Sequence, residues 1–205
     1  MKEALILVDI QNDFCPGGSL AVDDGDKIVQ VVNQLQKKFD LVVATQDWHP
    51  ADHVSFAANH ENKNPGEFIA LGESQQILWP VHCAQGSKGA EFVSTLDTEK
   101  VNRVFQKGTD KMVDSYSGFF DNDHNSSTGL GDYLKEKGVE EVYVTGLATD
   151  YCVKFTALDA VNLGFKTNLV LDACRGVNLS AGDVEKAVEE LKAAGVKVIS
   201  SKDIK

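Results

Sequence analysis

Cationic side chains are scarce in this sequence: 20 lysines and arginines stand against 31 aspartates and glutamates, a formal net charge of -11. Such a surface repels phosphate backbones and anionic lipid, which argues against nucleic acid and membranes as partners and leaves a small neutral substrate open. Long apolar runs are missing too. The first one, residues 4–8 behind Lys2 and Glu3, is too short for the core of a signal peptide and far too short to span a bilayer. Only four cysteines occur, Cys15, Cys83, Cys152 and Cys174, with no CxxC pair, and a chain of this length does not need disulfides to fold. They read as thiols in a reducing compartment, so the expected location is the cytoplasm. Internal repeats and low-complexity tracts are also absent.

What is present is an alternation of two periods. Strand-length apolar runs occur at ALILVDI (4–10), LVVAT (41–45), NRVFQKG (102–108), EVYVTGL (141–147), KTNLVLDAC (166–174) and VKVIS (196–200). Their near-continuous valine, isoleucine and leucine suits strands buried on both faces. Between them, Ile28, Val31, Val32 and Leu35, then Val153, Thr156, Ala157, Ala160 and Val161, then Val184, Ala187, Val188 and Leu191 follow the spacing of one buried helix face. Gly164 and Gly195 stand where helix C-termini want a left-handed residue, and Ser180 is the expected N-cap of the last helix. At 205 residues and 42% hydrophobic content, one domain over 1–205 is expected. The fold class is α/β, a six-stranded, mainly parallel sheet with helices on both faces in three layers. Residues 54–76 form the one long irregular segment, and such loops usually wall or cover a site.

In an open parallel sheet, ligands bind outside the carboxyl ends of the strands. The first strand ends at Asp9, the second at Asp47 and His49, the third at Lys107, and the fourth runs into a helix whose first turn holds Cys152. Each residue alone has an ordinary explanation: a turn aspartate, an exposed lysine, a small buried thiol. Together they form a chemical set. A thiol in the first helical turn feels free N–H groups and the positive dipole end, which favour thiolate, and a lysine adds to this. An aspartate beside them accepts the thiol proton and returns it to a leaving amine, so the trio makes an acyl-transfer nucleophile without histidine.

The stretch QDWHPADH (46–53) crowds two histidines and two aspartates at a strand end. Turn chemistry accounts for Pro50 and one aspartate but not for His49, His53 or Trp48. Asp47 and His49 with His82 offer a carboxylate and imidazoles suited to one divalent transition metal, and zinc, iron and manganese all accept such a set. The spacing alone leaves surface loop histidines as an equal alternative.

The segments LVDIQNDFCPGGSLAV, TQDWHPADHVSF, LWPVHC, FQKGTD, DSYSGFFDN and VTGLATDYCVKFTALDA together resemble the nicotinamidases, also called pyrazinamidases, of the isochorismatase-like cysteine hydrolase superfamily. That resemblance implies Cys152 as nucleophile, Asp9 as proton shuttle and Lys107 as its charged partner. It implies zinc, iron or manganese, one ion per chain, on Asp47, His49 and His82, with His53 just outside, bonded to a ligand or to the ion's water. Phe14 and Trp79 would flank the substrate ring, with Tyr116 and Leu147 nearby. A non-proline cis peptide at Leu147–Ala148 would aim the Ala148 and Cys152 amides at an oxyanion. The implied reaction turns nicotinamide into nicotinate and ammonia for pyridine-nucleotide salvage, in an enzyme compatible with homo-oligomer formation. His60 and His124 match no role and are expected to be exposed. Other readings are an amidase for carbamoyl or ureido compounds, an isochorismatase-type ether hydrolase, and a metal-binding or redox thiol protein without turnover.

Overall fold

The computed structural model describes residues 2–71 and 74–205. Its elements in chain order are β1 (Glu3–Val8), α1 (Ile28–Leu35), β2 (Val42–Asp47), β3 (Phe68–Leu71), β4 (Ser74–Ile77), β5 (Arg103–Lys107), α2 (Leu130–Glu136), β6 (Glu141–Leu147), α3 (Lys154–Asn162), β7 (Lys166–Arg175), α4 (Asp183–Ala193) and β8 (Lys197–Ile199). Six strands form one sheet in the order β5-β2-β1-β6-β7-β8, and every pairing is parallel. This is the α/β sheet expected from the apolar runs.

The continuous apolar character of β1 serves two cores. Ala4, Ile6 and Val8 point into a cluster with Leu130 and Leu134 of α2, Ala157 and Ala160 of α3, and Leu191 of α4. Leu5 and Leu7, alternating with them, join Ile28, Val32 and Leu35 of α1 on the other face. Each fully buried aliphatic side chain contributes about 1.5–3 kcal/mol. The central strands are thereby sealed on both faces.

The register sets that rim. β2 and β5 pair so that Asp47 lies opposite Lys107, and β1 and β6 pair so that Val8 lies opposite Gly146. Gly146 has φ +125°, and a Cβ there would collide with the Val8 backbone, so only glycine lets the two strands close just before the site.

Three expectations need correction. Residues 54–76 are not wholly irregular: β3 and β4 form an antiparallel hairpin separate from the main sheet, although residues 72 and 73 within it lie outside the described residues. β3 reads FIAL, apolar but only four residues long, and its partner β4 reads SQQI, so the pair gives no apolar run of usual strand length. The short α2, absent from the sequence reading, buries mainly Leu130 and Leu134, one i, i+4 pair and too little to register as a period. Ser180 does not cap α4. The Asn178 side chain accepts the Asp183 and Val184 N–H groups, while the Asp183 carboxylate accepts the Ser180 N–H. Gly164 (φ +89°) and Gly195 (φ +94°) do follow their helices in the left-handed conformation.

Candidate active site

Four strand ends bring Asp9, Asp47, Lys107 and the segment after β6 to one rim. Lys107 is the hub, 2% exposed. Its ammonium lies 2.8 Å from Asp47 Oδ1 and 3.0 Å from Asp9 Oδ2, donates to the Ser115 carbonyl at 2.8 Å, and approaches Cys152 Sγ at 3.5 Å. Thr45, two residues before Asp47 on β2, donates its hydroxyl to Asp9 Oδ1 at 2.6 Å. Asp9 leaves its strand with φ +47°, a left-handed conformation that aspartate tolerates better than most residues. Cys152 sits on a π-helical turn, Thr149–Val153, that opens α3. The peptide before that turn, Leu147–Ala148, is cis.

Burial dominates the proton affinities here. It pushes the Cys152 thiol well above its ordinary value; Lys107 pulls the other way, but Asp9, Asp47 and Asp114 add to the rise. The expectation that the helix start and lysine favour a resting thiolate is therefore corrected, because desolvation and three carboxylates outweigh one ammonium. Burial and Asp47 also lift Asp9, against Lys107 and the Thr45 hydroxyl. Lys107 goes the opposite way: burial disfavours its charge, but Asp47 and Asp9 hold it well above the usual lysine range. The arrangement is a protonated thiol and a permanent ammonium beside a carboxylate of raised basicity, which suits a base that collects the thiol proton during attack.

Beside this trio, Asp47, His49 and His82 bring one ligand atom each to within 4.8 Å of one another. His49 Nδ1 lies 2.9 Å from the Gly108 carbonyl and His82 Nδ1 2.8 Å from the Pro80 carbonyl. A carbonyl only accepts, so each Nδ1 carries a proton and each Nε2 of a neutral ring presents a lone pair. Those Nε2 atoms face Asp47 Oδ2 at 3.1 and 3.5 Å. Three electron-rich atoms converge, and a divalent cation fits them. Without one, burial pushes His49 down but Asp47 more than compensates, lifting it above its ordinary value. Burial likewise works against the Asp47 charge, yet His49 and Lys107 keep that carboxyl well below the usual range.

His53 is fully buried. Its ring packs 4.1 Å from that of His49, its Nδ1 meets Ser55 Oγ at 2.8 Å, and its Nε2 has no hydrogen-bond partner. Burial and His49 depress it to about 4. It forms no hydrogen bond to a ligand residue among the described contacts. With His49 and Asp114 it makes a second cluster of metal-type donors. His60 is half-buried rather than exposed, because Nε2 meets the Val54 carbonyl at 2.7 Å; His124 is exposed as expected.

A narrow pocket over Cys152 is lined by Phe14, Trp79, His82, Tyr116 and Ala148 among others. Trp79 donates its indole N–H to the Tyr116 hydroxyl at 3.1 Å, and Tyr151 packs edge-on against Trp79 at 5.0 Å. Leu147 is corrected: its side chain is fully buried in the core, beneath Gly25, and it is not among the pocket's lining residues, so only its peptide reaches the site. Residues that the sequence reading missed include Thr45, Asp114, Tyr151 and Gln76, whose amide donates to Asp114 Oδ2 at 3.0 Å. Thr45 was findable, since it shares a strand face with Asp47; Gln76 was not, because only the hairpin carries it inward.

A family model described as the isochorismatase domain matches residues 3–203. A nicotinamidase of Escherichia coli (strain K12) is 48% identical over 206 residues, spanning 98% of this chain and 95% of its own. Among solved structures, the Acinetobacter baumanii nicotinamidase pyrazinamidase is 50% identical, with a TM-score of 0.97 over 100% of this chain and 98% of its own. The pyrazinamidase of Pyrococcus horikoshii in complex with zinc is 40% identical, with a TM-score of 0.80 over 98% and 99%. With this sheet and full-length matches of this kind, the chain belongs to the isochorismatase-like hydrolases, in the group that includes the nicotinamidases and pyrazinamidases.

Proposed function

We propose that this chain is a nicotinamidase, hydrolysing nicotinamide to nicotinate and ammonia through a thioester on Cys152, and that it also deaminates pyrazinamide. The observation that carries the reading is the Lys107 ammonium, 3.0 Å from Asp9 and 3.5 Å from Cys152 Sγ, at a pocket walled by aromatic rings. The substrate ring lies between Phe14 and Trp79, with the carboxamide carbon over Cys152. Asp9 takes the thiol proton as sulfur attacks, and Lys107, 3.5 Å from Cys152 Sγ, offsets the negative charge that the transfer moves from Asp9 to the sulfur. The Ala148 and Cys152 amides receive the developing oxyanion. Asp9 then gives its proton to the departing amine and, recharged, draws a proton from the water that cleaves the thioester.

Asp47, His49 and His82 would hold one divalent cation, which when bound supplies a Lewis-acid anchor for a ring nitrogen. We take zinc as the resident ion, although iron and manganese suit the same donors. The whole chain is read as one domain working in the cytoplasm. No described helix is long and apolar enough to cross a membrane.

The test is ammonia release from nicotinamide by wild type and Cys152→Ala, each before and after chelation and metal restoration. Metal-dependent release that vanishes in the variant supports the reading. Release by Cys152→Ala above trace sinks the nucleophile, and silence of the metal-loaded wild type sinks the substrate.

A further inference from the structure

A second cleft, of about 530 Å³, opens beside the Cys152 pocket and shares Asp114 and Tyr116 with it. Its other walls carry Asp121, Asp123 and Asp159, with one histidine and no lysine or arginine among the described lining residues. Phe155 stacks on Tyr116 there, ring centroids 5.4 Å apart. Asp159 of α3 is only 5% exposed, yet its Oδ2 accepts no hydrogen bond among the described residues. The imidazole of His124 stops 3.6 Å from the other oxygen, Oδ1, short of a hydrogen bond. A buried carboxylate oxygen without a donor is costly and calls for an explanation.

We propose that this cleft binds a small organic cation, its charge taken by Asp159 and Asp123 and its apolar body laid against Tyr116 and Phe155. Chemistry selects the class. The lining repels anions. A bare metal ion needs donors that converge, and these carboxylates do not: the clusters found among the described residues lie at the Cys152 site instead. Aromatic faces attract ammonium and pyridinium groups, and the volume suits a small molecule. Reaching Asp159 requires His124, exposed on its loop, to swing aside. The proposal does not depend on the nicotinamidase reading.

The probe is N1-methylnicotinamide, a ring cation, with neutral nicotinamide as its control, titrated calorimetrically into Cys152→Ala protein, which turns neither over, alone and with Asp159→Asn or Asp123→Asn added. Saturable cation binding that weakens at least about tenfold in Asp159→Asn and about threefold in Asp123→Asn is expected. Nicotinamide affinity stays unchanged in both variants. The thermal midpoint of Asp159→Asn holds or rises, because an unpaired buried charge is removed; a purely structural carboxylate would lower it. Absent saturation, equal cation affinity in the variants, or a lowered midpoint for Asp159→Asn with Asp123→Asn binding as Cys152→Ala alone, each overturns the proposal. Should Asp159→Asn fail to fold, the Asp123→Asn titration decides alone.

Discussion

Replacing Lys107 by methionine keeps the buried stem and deletes only the ammonium. That group faces Asp47 at 2.8 Å and Asp9 at 3.0 Å and satisfies the Ser115 carbonyl. Removing one partner from a buried charge network costs about 3–5 kcal/mol, because the remaining charges are left uncompensated. A domain of this size has about 5–15 kcal/mol in hand, so the variant folds, with its thermal midpoint lowered by about 6–20 °C. The pH dependence identifies the cause. Without the ammonium, Asp9, already above the ordinary aspartate value, rises further, and Asp47 loses one of the two charges that hold it down. A raised carboxyl binds its proton more tightly in the folded state, so stability is gained as pH falls towards the unfolded aspartate value and lost as pH rises. The deficit relative to wild type is therefore larger near pH 8 than near pH 5. Urea unfolding of both proteins at the two pH values, in chelator so that no cation replaces the ammonium, measures it. A deficit below about 1 kcal/mol, or one that is equal at both pH values, refutes the claim that Lys107 is the counter-charge of two buried carboxylates.

Gly108→Ala should weaken metal binding without replacing a ligand: at φ +61° its Cβ would collide with the His49 ring. A loss of about 10–100-fold in zinc affinity, read by chelator competition, is expected for a displaced ligand, and unchanged affinity speaks against His49 as one. Thr45→Val removes the hydroxyl that donates to Asp9, a change that raises Asp9 further. The acid limb of the rate profile then moves to higher pH, so activity falls more near pH 6 than near pH 8. An unmoved limb would separate Asp9 from the proton transfer.

The sheet was legible because its central strands are buried on both faces and carry unbroken apolar runs, as at residues 4–8 and 142–144. Helices with four or five periodic apolar positions, α1, α3 and α4, were legible for the same reason. The hairpin and α2 were not, since β3 is only four residues long, β4 has one apolar residue and α2 has mainly two buried ones. Asp9, Asp47 and Lys107 could be brought to one rim from strand ends alone, because a parallel sheet leaves all its carboxyl ends on one side. Which residues wall the pocket came from the resemblance, and of the four it implied, Leu147 is absent from the lining. A cis peptide and a π-helical turn redirect the chain at that point, and local sequence pattern contains neither.

The proton affinities were least legible, for they depend on distances between strands. The sequence reading took the trio and the metal-type cluster as two constellations; Asp47 makes them one. Its Oδ1 pairs with Lys107 at 2.8 Å, and its Oδ2 faces the two imidazoles. Asp9 and Asp47 against Lys107 leave an excess negative charge at the rim, and Asp47 answers it by lifting the proton affinity of His49. Every change at one end must register at the other. A cation beside Oδ2 withdraws charge from Asp47, which loosens its hold on Lys107 and leaves more of the ammonium's field for Asp9 and the Cys152 thiol. Occupancy of the histidine cluster should therefore ease ionisation of the thiol even when no ring nitrogen is present. The thiol's alkylation rate, compared between chelated and zinc-restored protein across pH, exposes that coupling directly. Superimposable profiles would mean that Asp47 holds its two neighbours without passing charge between them.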